Sequence, residues 1–186
     1  GILINLHLRK KEVEFDRLSR QVDDEIRGIV HRMSENLRRA DKTGYSSDCF
    51  VRLEDKICAA KECALRNWNN TLWSQTSYEL DYIRMRENQS RVLRNIYDSI
   101  VLMKMLPVQT MPVADFFEEI QMQYHRENDV EGLLERLQKM LAEMKQEKLP
   151  ESREEFEARA LLFYTLMQLR EFLRLKNRFV IKYKGD

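Results

Sequence analysis

The sequence predicts an all-α fold: an antiparallel helical bundle of four long helices plus at least one shorter helix. Three observations lead there. Apolar residues recur at steps of three and four through most of the 186 residues. Only five Gly and three Pro interrupt them. No stretch alternates apolar and polar residues with the two-residue period of a strand. Short connections between the long segments favour antiparallel neighbours.

From Glu12 to about Arg39, Phe15, Leu18, Val22, Ile26, Ile29, Met33 and Leu37 share one helical face, with Gly28 inside the run. "ADKTGYSSD" then reads as a loop, and Ser47 or Asp48 can cap a second helix carrying Phe50, Leu53, Ile57, Ala60, Ala64 and Leu65. "NWNN", Asn67 to Asn70, reads as a break, because Asn is a poor helix former. Thr76 and Glu79 form a capping box for a third helix, from about Ser77 to Leu106, with Tyr82, Met85, Val92, Leu93, Ile96, Ile100 and Met103 inward. Pro107 and Pro112 mark a connector. A short helix follows from about Val113 to Arg126, bearing Phe116, Phe117, Ile120 and Tyr124. Asn128 or Asp129 caps the next, striped by Val130, Leu133, Leu134, Leu137, Leu141 and Met144. Ser152 with Glu155 makes a second capping box, and the last helix runs to about Phe179.

Composition removes several function classes. Thirty-two basic and 31 acidic residues leave a net charge of +1, far from the basic face of a nucleic-acid binder. Three cysteines, Cys49, Cys58 and Cys63, fit neither a disulfide framework nor a zinc knuckle, and Cys58 and Cys63 read as buried small hydrophobes. No apolar run reaches the ~18 residues of a membrane span. A carboxylate-bridged di-metal site in a bundle uses Glu-x-x-His; three residues before His7, His31 and His125 stand Ile4, Gly28 and Met122. No two glycines are close enough for a phosphate-cradling loop, and no Gly-x-Ser-x-Gly turn presents a nucleophile. No catalytic residue, metal or cofactor is expected.

Two features remain. Trp68, Trp73, Tyr78 and Tyr82 cluster along the chain, either as core packing or as a pocket for a flat or apolar ligand between helices. At the start, "GILINLHLRKK" crowds Ile2, Leu3, Ile4, Leu6 and Leu8 ahead of Arg9, Lys10 and Lys11. That basic cluster is either a solvated helix start or a membrane-proximal anchor that attracts anionic lipid.

"DYIRMRENQSRVLRNIYDSI", "PVADFFEEIQ" and "LPESREEFEARALLFYTLMQLREFL" together resemble the C-terminal cytoplasmic domain of the bacterial aromatic acid exporter family, over roughly Asp48 to Val180. The last block, Leu149-Pro150 followed by an Arg-Glu-Glu-Phe-Glu-x-Arg-Ala run, is the most specific. The resemblance implies an N-terminal membrane region ahead of a cytoplasmic helical domain. Residues 1–8 are then expected to be the stump of a membrane helix or a cloning remnant, and residues 9–186 a single cytoplasmic bundle. The expected partners are the protein's own membrane domain, an anionic lipid surface near residues 9–11, and a second copy of the chain. The expected role is accessory and non-catalytic: regulatory, ligand-sensing or oligomerising. The alternative is a free-standing helical interaction module.

Overall fold

The structure is a computed structural model that describes residues 2–70, 77–124 and 130–184, leaving aside the side chains at positions 4, 7, 8, 11 and 12. Its described residues form six α-helices: α1 (Ile2–Leu37), α2 (Asp48–Asn69), α3 (Ser77–Val101), α4 (Thr110–Met122), α5 (Val130–Lys145) and α6 (Arg153–Lys184). Four are long and two are short, and no strand appears among the described residues.

Paired contacts give the topology. Glu14 meets Arg66 at 3.9 Å and Glu25 meets Lys56 at 2.7 Å, so α2 runs antiparallel to α1. Asn67 donates to Glu79 and Phe50 packs edge-on against Tyr97, so α3 returns antiparallel to α2. Lys182 reaches Asp81 at 2.6 Å and Asn95 donates to Gln168, which sets α6 antiparallel to α3. α4 lies against the second half of α1, where Ser34 donates to the Ala114 carbonyl and Arg38 pairs with Asp115. α5 bridges the remaining side, tied to α4 by Arg136 and Glu119 and packed along α6.

The apolar stripes read from the sequence form one core. Phe15, Val22, Ile26, Met33, Phe50, Leu53, Ile96, Ile100, Phe117, Leu137 and Leu166 are all inside it. Leu65 is a correction: it sits beside the stripe rather than on it, and is exposed. Cys58 is a second correction. Cys63 is buried as expected, but Cys58 lies on the solvent side of α2, near Glu62.

Boundaries differ where local chemistry overrides pattern. α1 begins at Ile2, ten residues before the predicted Glu12, because nothing in the apolar start breaks a helix. α3 stops at Val101, since the Leu102 and Met103 amides turn back onto the Ser99 and Ile100 carbonyls and bury Met103. α4 starts at Thr110 and therefore contains Pro112, which the sequence placed in the connector. Pro112 is in the first turn, where a backbone N–H has no intrahelical acceptor to lose. The "NWNN" break is real but late, for Asn67, Trp68 and Asn69 complete the last turn of α2. Ser152 caps α6 by accepting the Glu155 amide at 3.1 Å, while the Glu155 carboxylate accepts from Glu151 rather than Ser152. α6 continues past Phe179 to Lys184. The predicted caps Thr76, Asn128 and Asp129 lie outside the described residues.

Gly28 lies in mid-helix, and a Cβ added there would meet nothing within 4 Å. Gly28→Ala is therefore expected to stabilise the fold by about 0.5–1 kcal/mol through the lost backbone entropy of glycine. Urea unfolding of the two proteins checks it.

Candidate functional site

Polar side chains collect where α1, α3 and α6 meet the end of α4. Arg86 on α3 is 0% exposed, the largest fully buried side chain among the described residues. Its Nε lies 2.9 Å from Asp23 Oδ1 of α1. The Nε–H is better aligned with the Tyr82 hydroxyl, which accepts from Nε at 3.2 Å and from Nη2 at 3.0 Å. Tyr82 in turn donates to Asp23 Oδ2 at 2.6 Å. Arg86 Nη1 donates to Gln89 Oε1 at 2.7 Å, and Gln89 donates to the Phe172 carbonyl of α6 at 2.8 Å. The guanidinium also lies over two rings, 4.6 Å from the centre of Tyr124 and 5.0 Å from that of Tyr82. Two aromatic rings thus lie within cation–π distance of a buried cation, a favourable arrangement once water is excluded.

α3 builds this locally. Tyr82, Arg86 and Gln89 are spaced at i, i+4 and i+7, so they share one helical face. Lys176 on α6 joins the group, 3% exposed, with its Nζ 5.5 Å from the centre of the Tyr124 ring. The Tyr124 backbone carbonyl accepts from Arg27 of α1 at 2.7 Å, which pins that ring from behind.

Electrostatics follow from burial. Desolvation alone would push the Arg86 pKa down, but the oxygens of Tyr124, Tyr82 and Asp23 outweigh it, so the guanidinium stays charged. Burial, and the nearby Asp23 carboxylate, push Tyr82 up to about 12, while Arg86 opposes the shift. Burial likewise lifts Tyr124 well above its ordinary value. Lys176 goes the other way. Burial first, and then the Arg86 charge, bring it down from 10.5 to about 7, with Asp23 opposing.

The predicted pocket residues separate. Tyr82 is inside the cluster, and Tyr78 stacks beside it at 6.3 Å, packed against Phe179 and Tyr183 of α6. Trp68 is half exposed at the end of α2, and Trp73 lies outside the described residues. Trp68, Tyr78 and Tyr82 do not line the larger grooves among the described residues, which open elsewhere. One of about 730 Å³ runs between the end of α3 and the start of α6, at Leu102, Met105 and Phe156. Another, of about 750 Å³, runs between α5 and α6, at Leu134, Phe163, Met167 and Arg170. Arg9 and Lys10 are exposed on α1, beyond the exposed Ile2, Leu3 and Leu6; the Lys11 side chain lies outside the described residues. No group of three or more His, Cys, Asp or Glu side chains able to hold a metal occurs among the described residues. No helix there is long and apolar enough to cross a membrane.

The sequence reading missed Asp23, Arg86, Gln89 and Lys176. A signal was present. Lys176 occupies the next position of the stripe Leu169, Phe172, Leu173, and Arg86 and Gln89 sit between Tyr82, Met85 and Leu93.

Residues 12–177 match the family model described as "Putative aromatic acid exporter C-terminal domain". The chain belongs to this family. It is 25% identical over 179 residues to the "Uncharacterized protein YqjA" of Bacillus subtilis (strain 168), covering 96% of this chain and 55% of that protein. The chain thus spans about half the length of the curated relative it matches. It is also similar to the crystal structure of a "putative membrane protein" from Clostridium difficile 630, with a TM-score of 0.78 and 25% identity over 89% of this chain and 98% of that one. A solved structure therefore shares this chain's helical arrangement over most of its length.

Lys176 gives the pH dependence a sign. Between its ordinary pKa of 10.5 and its folded value of about 7, the unfolded chain holds a proton that the folded chain does not. Folding is least favoured at and below about pH 7, and this penalty lifts as pH rises towards 10.5. Lys176→Met removes the penalty. Urea unfolding should find the variant more stable than the parent at pH 7, by on the order of a few kcal/mol, with the gap closing as pH rises.

Proposed function

We propose that this chain is a non-catalytic accessory domain on the cytoplasmic side of a membrane exporter. There it regulates the membrane part, by sensing a cytosolic ligand or by organising protomers. The observation that carries the proposal is the continuity of α1. One helix of 36 residues, about 54 Å long, holds exposed Ile2, Leu3, Leu6, Arg9 and Lys10 at one end and Asp23 of the buried cluster further along. An unbroken helix is a rigid connection, so a change at the Asp23–Arg86 contact reaches the apolar, basic end as a rotation or shift of the whole rod. The family's description as the C-terminal domain of an exporter supports an upstream membrane partner, as does the half-length coverage of the Bacillus relative. An anionic lipid surface at Arg9 and Lys10 fits the same placement.

Cys58 offers a direct test of sidedness, because it is exposed while Cys49 and Cys63 are buried. In full-length protein with Cys58 as its one reactive cysteine, a membrane-impermeant maleimide should label inverted vesicles and leave intact cells unlabelled. Labelling of intact cells contradicts the cytoplasmic placement. A thermal-shift screen that includes aromatic carboxylates divides the two roles. A ligand-dependent rise in Tm supports sensing, and no rise with any compound leaves the organising role.

A further inference from the structure

One end of the bundle collects positive charge from helices far apart in sequence. Tyr183 of α6 packs edge-on against Tyr78 of α3 at 4.8 Å, and Tyr82 meets Phe15 of α1 at 6.4 Å. Glu14 of α1 meets Arg66 of α2. Glu14 and Phe15 of α1, the end of α2, the start of α3 and the end of α6 are therefore at one level, and the first turns of α1 extend beyond it. Arg9, Lys10, Arg66, Arg178, Lys182 and Lys184 are all exposed at that end. From Phe172 to Lys184 the sequence holds five basic residues and no acidic one.

The carboxylates at this end are already engaged. Glu14 faces Arg66, Glu79 accepts from Asn67, Asp81 accepts from Lys182 and Tyr183, and Glu171 pairs with Arg178 at 2.9 Å. Arg9, Lys10 and Lys184 add to these paired cations, and exposed apolar side chains stand among them: Ile181 on α6 and Trp68 on α2. Basic residues in the last turn also complement the helix dipole, but that effect fades within the turn and does not reach Arg178 or account for an exposed Ile181. A tryptophan and an aliphatic side chain beside lysines and arginines make an amphipathic surface that matches the interface of an anionic bilayer.

We propose that the C-terminal part of α6, through Arg178, Ile181, Lys182 and Lys184, is a contact site for anionic lipid, with Trp68 as an interfacial anchor. The site extends the lipid contact at Arg9 and Lys10 to a second helix, so the bundle meets the bilayer on two supports. Its place in the cell rests on the cytoplasmic reading above, but vesicle binding by the isolated chain does not.

The test is co-sedimentation of the purified chain with vesicles of phosphatidylcholine alone and with about 30% phosphatidylglycerol, at low and at physiological salt. Binding is expected to need the anionic lipid and to weaken with salt. The triple variant Arg178→Glu, Lys182→Glu, Lys184→Glu should bind on the order of a hundredfold more weakly. Lys148→Glu with Arg153→Glu, at the opposite end, should bind as the parent does. Circular dichroism establishes that both variants are folded. Equal binding to neutral and anionic vesicles overturns the proposal, as does unchanged binding by the triple variant. Lipid-free self-association that the triple variant abolishes would assign the surface to a second copy of the chain and overturn it too.

Discussion

An arginine held entirely out of water is the constraint on which the rest of this bundle depends. Burying a guanidinium costs several kcal/mol unless charge and hydrogen bonds are returned to it. Arg86 recovers them from separate elements: a carboxylate from α1, a hydroxyl and an amide from its own helix, and an aromatic face from the residue two beyond α4. Gln89 carries the network on to the α6 backbone. A slip of α1 against α3 by one turn, about 5.4 Å, would strand that charge. Apolar packing alone tolerates such slips more readily, since one leucine stripe resembles the next. The ionic cluster thus fixes the register that hydrophobic burial leaves loose.

The same contact joins stability to the proposed role. Asp23 is on the helix that carries the apolar and basic end, and Lys176 is on the helix that carries the basic terminus. Lys176 adds a second cation beside Arg86, and its lowered pKa reflects burial first and then the Arg86 charge, with Asp23 opposing. The core therefore contains a group whose charge changes near neutrality, between the two helices whose ends face the same way.

Much of the fold was legible because long helices write their buried face every three or four residues. The stripes of α1 and α4 were read almost residue for residue, that of α3 only in part, since Leu80 and Ile83 are buried there too, and Ser152 was read correctly as a cap. Errors fell where tertiary or terminal effects decide. Pro112 sits harmlessly in a first turn, and Cys58 and Leu65 lie just off the buried face of α2. The site was harder to see. Tyr82 stands out as an aromatic, whereas nothing in the sequence singles out Arg86 and Lys176 in a chain where a third of the residues are charged. A charged residue on an apolar stripe is informative only when its partner is known, and Asp23 is about sixty residues away in sequence. No local pattern connects them.

A double-mutant cycle on Asp23→Asn and Arg86→Met, measured by urea unfolding, tests the central claim most directly. If the pair holds the helices in register, each single change strands a charge and costs about 3–5 kcal/mol, and the double variant loses far less than the sum. Losses that add to within about 0.5 kcal/mol would mean that the two side chains do not act together, and would contradict the account.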